Sequence, residues 1–143
     1  MKKKVLVFVF SVFCGFSFAQ IGINTVLPLS TLDINGNLSV KVINLTGSVS
    51  PTPISDGVYI SVTPTANDQQ FRLPSPIAFP GRMYIIRNVA NTNTAVLITP
   101  AGQFFYKNTT GQTNGTNDFV YMNESTTRSA ILISDGANWT VFN

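Results

Sequence analysis

The side chains that could perform catalysis are few and widely spaced along the chain. The 143 residues include six acids, no histidine and a single cysteine, Cys14. Without histidine the chain lacks the means for Ser-His-Asp or Cys-His catalysis, for haem ligation by histidine and for the usual zinc sites. The two acids closest in sequence are Asp118 and Glu124. Paired catalytic carboxylates can be far apart in sequence, so a hydrolase stays an alternative, although it is the weakest one. The sequence predicts no catalytic residue.

One turn is similar to a calcium-binding loop but departs from it. Residues 33–37 (DINGN) place oxygen-bearing side chains at alternate positions, as calcium loops do. Leu38 stands where such a loop needs glycine, and Asn44 stands where it needs glutamate. A turn stabilised by Asn and Asp side chains is the favoured interpretation. The sequence therefore predicts no metal site and no cofactor.

The first residues are predicted to be a secretory signal peptide. Lysines at 2–4 precede an apolar run at 5–16, and residues 17–19 (SFA) put small side chains at the −3 and −1 positions of a cleavage site. We expect cleavage near Ala19-Gln20, followed by secretion or residence in the periplasm or at the cell surface. The apolar run is shorter than the roughly 20 residues that a membrane-spanning helix needs.

Removal of residues 1–19 would leave a chain with no net charge. The remainder holds six cations and six anions, so no nucleic-acid partner is predicted. Cys14 is lost with this segment, and disulfides are therefore not expected. Phe13 stands where a lipid-attachment signal needs a small residue, which disfavours a lipid anchor.

From residue 57 onward, short runs of strong β-propensity alternate with turns rich in Gly, Pro and Asn. The runs recur about every 8 to 12 residues, and no window shows helical periodicity. The predicted strands are 58–62, 70–73, 82–87, 95–98, 104–106, 119–122, 129–133 and 139–142. Asp135-Gly136-Ala137 separates the last two and is expected to form a tight hairpin. We predict an all-β head over 57–143, an antiparallel β-sandwich or a β-prism-like fold.

Two further segments are predicted ahead of the head. Residues 20–45 form an N-terminal segment with a half-buried strand at 38–42, where apolar and polar residues alternate. Residues 46–56 are rich in Ser, Thr and Pro, and they are predicted to be a linker.

Two stretches carry recognisable motifs. Residues 21–37 fit G-I-x-T-x-x-P-x-x-x-L-D-[VI]-x-G, and residues 71–139 contain FRLP, FPGRMYIIRN, ITPAG and LISDGANW. The residues that match the first motif are Gly22, Ile23, Thr25, Pro28, Leu32, Asp33, Ile34 and Gly36. Both stretches resemble phage tail-fibre-like secreted surface proteins of Bacteroidota. The resemblance implies an elongated, extracellular trimer in which a stalk leads to a β-rich head.

Self-association is expected at the N-terminal segment, because a Gly/Asn-rich segment with alternating apolar residues has too little core to fold alone and its strand edges need a partner. A homotrimer would cover the apolar side chains around a threefold axis. The candidate interface residues are Ile21, Ile23, Leu32, Ile34 and Leu38. The alternative is a monomer in which this segment adds strands to its own head.

Aromatic side chains of the head are the candidate ligand contacts. They could form a stacking platform for sugar rings, edged by amides and hydroxyls; burial between two sheets or at a subunit contact is the favoured interpretation. The candidate residues are Phe104, Tyr106, Tyr121 and Trp139, with Thr113 and Asn114 in the polar loop 109–117. The sequence thus predicts a non-enzymatic exported surface or fibre-like protein for adhesion or structural attachment, with a polymer, glycan or surface protein as ligand. A monomeric secreted carbohydrate-binding β-sandwich is the alternative.

Overall fold

The structure of the protein is a computed structural model that describes residues 21–24, 26, 31–106, 119–123 and 125–143. The predicted signal peptide and the loop 109–117 with Thr113 and Asn114 lie outside these residues. The described part consists of strands, turns and a 3₁₀ turn at Pro76–Ala78, which confirms the all-β prediction. The chain divides into two units, Met1–Ser39 and Val40–Asn143.

The first unit contains a small parallel strand pair. Strands β1 (Ile21–Ile23) and β2 (Leu32–Ile34) pair along their three residues. Asn24 follows β1 with a positive φ of 58°, and its side-chain amide donates a hydrogen bond to the carbonyl oxygen of Asn35 at 3.0 Å. The backbone N–H of Ile21 also donates to the carbonyl oxygen of Thr31, and that of Asn35 donates to the carbonyl oxygen of Ile23, each at 3.0 Å.

The second unit contains two sheets. Its strands are β3 (Val42–Thr46), β4 (Thr52–Pro53), β5 (Tyr59–Thr63), β6 (Gln69–Arg72), β7 (Met83–Asn88), β8 (Ala95–Ile98), β9 (Phe104–Tyr106), β10 (Phe119–Met122), β11 (Ser129–Ser134) and β12 (Trp139–Phe142). The six-stranded sheet has the order β3-β5-β7-β11-β12-β9, and the four-stranded sheet has the order β10-β8-β6-β4.

The head begins earlier along the chain than the sequence predicts. Strand β3 pairs with β5 along its whole length, and Ile43 and Leu45 pack against the core. The predicted strand 38–42 is thus displaced toward the C-terminus, because these two apolar side chains reach the core. The predicted linker 46–56 contributes β4 to the four-stranded sheet and the buried side chain of Ile54 to the core.

From β3 to β11 the chain alternates between the two sheets. Strands β3, β5 and β7 consequently run parallel in one sheet, and β4, β6 and β8 run parallel in the other. A parallel pair needs a crossover connection, and here each crossover is a strand of the opposite sheet. The sheets are therefore mixed and not antiparallel as predicted, because strand spacing along the sequence does not specify which sheet a strand joins.

The predicted hairpin between the last two strands is confirmed. Strands β11 and β12 pair antiparallel with Ser134 opposite Trp139, and Gly136 takes a positive φ of 94° in the turn. Trp139 and Val141 are buried, while Phe142 faces outward, as the alternation of side chains along a strand requires.

Both sheets contribute side chains to one hydrophobic core. Ile86, Leu132 and Trp139 come from the six-stranded sheet, and Phe71 and Leu97 come from the four-stranded sheet. Because inward positions alternate with outward positions on every strand, each sheet also has an outer face.

Candidate functional site

Three of the described carboxylates, Asp56, Asp68 and Asp135, lie in an ion pair or in a turn. Asp56 forms an exposed ion pair with Lys41, whose side chain holds the pKa of Asp56 below its usual range. Asp68 occupies a turn with a positive φ of 61°. Within the described ranges no three metal-ligating side chains come together. Asp118 and Glu124 lie outside these ranges.

Asp135 organises the hairpin turn. Its Oδ1 accepts hydrogen bonds from the backbone N–H groups of Asn138 at 2.6 Å and Ala137 at 2.7 Å. The Asn138 N–H is the main reason that the pKa of Asp135 lies below its usual range, since a hydrogen bond to the ionised form stabilises it. Asp135 is therefore a turn-forming residue.

The recognisable motifs of the head meet at the ends of its strands. The backbone N–H of Gln103, next to the ITPAG motif, donates to Oδ1 of Asn138 at 3.1 Å. A Cβ added to Gly102, which has a φ of +68°, would lie 2.1 Å from the carbonyl oxygen of Ala137. Ser134 Oγ donates to the carbonyl oxygen of Pro76 at 2.8 Å. These contacts join the turns to one another. They account for the residue types of the motifs, and no ligand is needed to explain them.

The aromatic platform named from the sequence does not form as one surface. Phe104 and Trp139 are fully buried at 0% exposure, and the Trp139 ring lies 5.7 Å from that of Tyr84. Tyr106 is half-buried against the core, and burial raises its pKa. Tyr121 is exposed, but it belongs to the other sheet. Trp139 and Val141 are i, i+2 neighbours on β12, so their side chains share the inward face of this strand.

The outer face of the four-stranded sheet carries an aromatic pair. Phe119 and Tyr121 are 37% and 58% exposed, and their ring centroids lie 6.4 Å apart at 44°. In the strand register Phe119 lies next to Ile98, and Ile98 lies next to Arg72 on the following strand. Exposed aromatic rings can stack on sugar rings, and a guanidinium can donate hydrogen bonds to sugar hydroxyls. Sequence reasoning selected Tyr121 but missed Phe119, although the two are i, i+2 neighbours on one strand face.

The outer face of the six-stranded sheet is apolar over most of its width. The strand register aligns its outward side chains in three rows. The first apolar row consists of Val42, Tyr59, Ile85, Ile131 and Phe142. The second apolar row consists of Met83, Ile133 and Phe105, and it includes Thr140 between Ile133 and Phe105. The polar row consists of Asn44, Ser61, Arg87 and Ser129. Sequence reasoning missed this face, because the rows exist only once the register is known.

The apolar side chains of the N-terminal segment are also largely exposed. Ile34 is half-buried. Of the other predicted interface residues, at least half of the surface is exposed for Ile21, Ile23, Leu32 and Leu38, and Val26 nearby is 94% exposed. The small parallel pair thus presents exposed apolar side chains on both of its strands.

Comparison of the chain with protein-family models, with curated proteins and with solved structures finds no match. Among the described residues, no helix has both the length and the apolar character needed to cross a membrane. Function is therefore inferred from the exposed surfaces themselves.

Proposed function

We propose that this chain is an exported, non-enzymatic surface or fibre-like protein that acts in adhesion or structural attachment as a homotrimer. Its head would be a β-sandwich, an arrangement supported by the single core to which both sheets contribute. The signal-peptide pattern of residues 1–19 supports export.

The observation that carries the proposal is the exposure of the N-terminal strand pair. Ile21, Ile23 and Leu32 are each at least half exposed on strands of three residues. A two-stranded ribbon of this length is marginal in water and needs further packing to be stable. Association of three copies through these side chains would supply that packing, and the segment would then serve as a stalk.

The test is the mass of the chain in solution after residue 19, measured by light scattering over a wide concentration range. A trimer that Ile23→Ser with Leu32→Ser converts to a monomer would support the proposal. Val49→Ser is the matched control, because Val49 is fully exposed in a loop of the head. A wild-type chain that stays monomeric at every concentration would overturn it.

A second candidate function is carbohydrate binding by a monomeric β-sandwich, which the aromatic pair Phe119–Tyr121 favours. Pull-down on insoluble polysaccharides tests it, with Phe119→Ala and Tyr121→Ala as variants. Phe79→Ala is the control, since Phe79 is 38% exposed, close to Phe119 at 37%. Stacking of a ring on a sugar predicts loss of retention in the first two variants alone, and equal retention in all three would contradict it.

A further inference from the structure

We infer that the outer face of the six-stranded sheet is a contact surface for a second copy of this chain. The inference rests on the self-association proposed above, and it assigns the head an interface of its own beyond the N-terminal segment. The surface consists of the first and second apolar rows with the polar row along one side.

The strands at the centre of this face are apolar on both sides. On β7, Ile86 points into the core and Ile85 outward; on β11, Leu132 points into the core and Ile131 outward. Strands of this kind are typical of sheets that are covered on both faces, and parallel pairs such as β5–β7 occur mainly there. The inner face is covered by the chain's own four-stranded sheet. The apolar pattern therefore indicates that another molecule covers the outer face.

The exposed apolar side chains of this face form one continuous patch. Met83, Ile131 and Phe142 are each 40% exposed, and the strand register connects them to their neighbours in the two apolar rows. A continuous apolar patch that is bordered by polar residues is typical of interaction sites between proteins. An apolar centre beside a polar edge is also the usual arrangement of such interfaces.

The charge of the face favours a copy of the same chain over other partners. Among the described residues of the three rows, Arg87 alone is charged. A face that binds a membrane would be expected to carry several cationic side chains at its edge. A face that binds a glycan would need polar groups among its apolar side chains. Since the chain after residue 19 has no net charge, two copies approach without electrostatic repulsion.

The face also has a depression that a protruding side chain can enter. It has a volume of about 370 Å³ and lies among Ile85, Ile131 and Phe142, with Ser129 and Asn143 at its border. The first apolar row continues from this depression to Val42, which is 59% exposed at the other end. A row that is apolar from end to end, with a recess at one end and a projecting side chain at the other, is complementary to a copy of itself.

The experiment compares the wild-type chain with Phe142→Asp, Ile131→Ser and Val49→Asp by light scattering over a concentration series, with circular dichroism to verify folding. We expect Phe142→Asp to raise the concentration needed for half-association about 100-fold, because its carboxylate would be buried in the contact. Ile131→Ser should raise it about 10-fold. Val49→Asp is the control, since Val49 is fully exposed in a loop outside the three rows, and it should leave association unchanged.

Each outcome decides between the two interfaces. Association that both face variants leave unchanged would overturn this inference while leaving the N-terminal trimer intact. Association that is lost in the face variants but kept in Ile23→Ser with Leu32→Ser would support this inference and overturn the N-terminal assignment. A wild-type monomer at all concentrations would overturn both. If Phe142→Asp fails to fold, the milder Ile131→Ser decides.

Discussion

The side-chain amide of Asn88 on β7 donates a hydrogen bond to the carbonyl oxygen of Met122 on β10 at 2.8 Å, and so joins the two sheets through a fully buried group. The same amide donates to the carbonyl oxygen of Asn93 at 2.8 Å, and its Oδ1 accepts from the backbone N–H of Ala90 at 2.9 Å. Asn88 is thus a fully buried polar side chain whose two amide hydrogens and carbonyl oxygen all form hydrogen bonds.

We expect Asn88→Ala to lower the free energy of unfolding by about 2 to 4 kcal/mol, because it leaves buried backbone groups without partners and opens a cavity. Urea denaturation measures the change. Asn44→Ala is the control, because Asn44 is exposed on β3, and its effect should stay within about 0.5 kcal/mol. Equal losses in the two variants would contradict the linking role of Asn88.

Asp135 should make the hairpin turn weakly dependent on pH. Its folded-state pKa is lowered, chiefly by the Asn138 N–H, so the stabilisation is present above the unfolded pKa of about 4 and is lost as pH falls through the lower folded value. The carboxyl is exposed, so we expect an effect below about 1 kcal/mol. Thermal unfolding of wild type and Asp135→Asn between about pH 2.5 and 6 should give melting curves that differ at pH 6 and converge at the acid end. A constant difference across this range would argue against the carboxylate.

Gly102 should tolerate a side chain poorly. Alanine there would combine a φ of +68° with a Cβ 2.1 Å from the carbonyl oxygen of Ala137, and we expect a loss of about 2 to 4 kcal/mol in unfolding free energy. Gly81 provides the control, because its φ of +76° is similar but no atom lies within 4 Å of its added Cβ. Gly81→Ala should therefore cost only the backbone strain of about 1 to 2 kcal/mol. A loss at Gly102 no greater than that at Gly81 would mean that the turn moves freely away from Ala137.

The Tyr84 hydroxyl is buried and has no hydrogen-bond partner among the described residues. We expect Tyr84→Phe to raise the free energy of unfolding by about 1 kcal/mol, since it removes an unsatisfied polar group and keeps the ring beside Trp139. Tyr84→Leu separates the two effects, because it removes the ring contact as well and should destabilise the protein. A clear loss of stability in Tyr84→Phe would show that the hydroxyl is satisfied after all.

The sequence by itself determined the all-β class, the positions of most strands in the head and the final hairpin. Strand propensity and the i, i+2 alternation are local properties, and they are visible in segments such as WTVF, where Trp139 and Val141 share the buried face. The turn chemistry of Asp135 and Gly136 is local as well. Interactions between residues that are close in the sequence are sufficient to specify these features.

Only the tertiary structure decided which strands became neighbours and which aromatic side chains stayed exposed. Each strand from β3 to β6 finds its parallel neighbour two strands further along the chain, after a crossing through the other sheet. The register that aligns Val42 with Phe142 through three intervening strands therefore joins residues a hundred positions apart. Hydropathy distinguished apolar from polar positions on each strand, but whether Phe104 was covered and Phe142 exposed depended on packing between distant segments. That packing is a property of the folded chain and is not encoded in any single stretch of it.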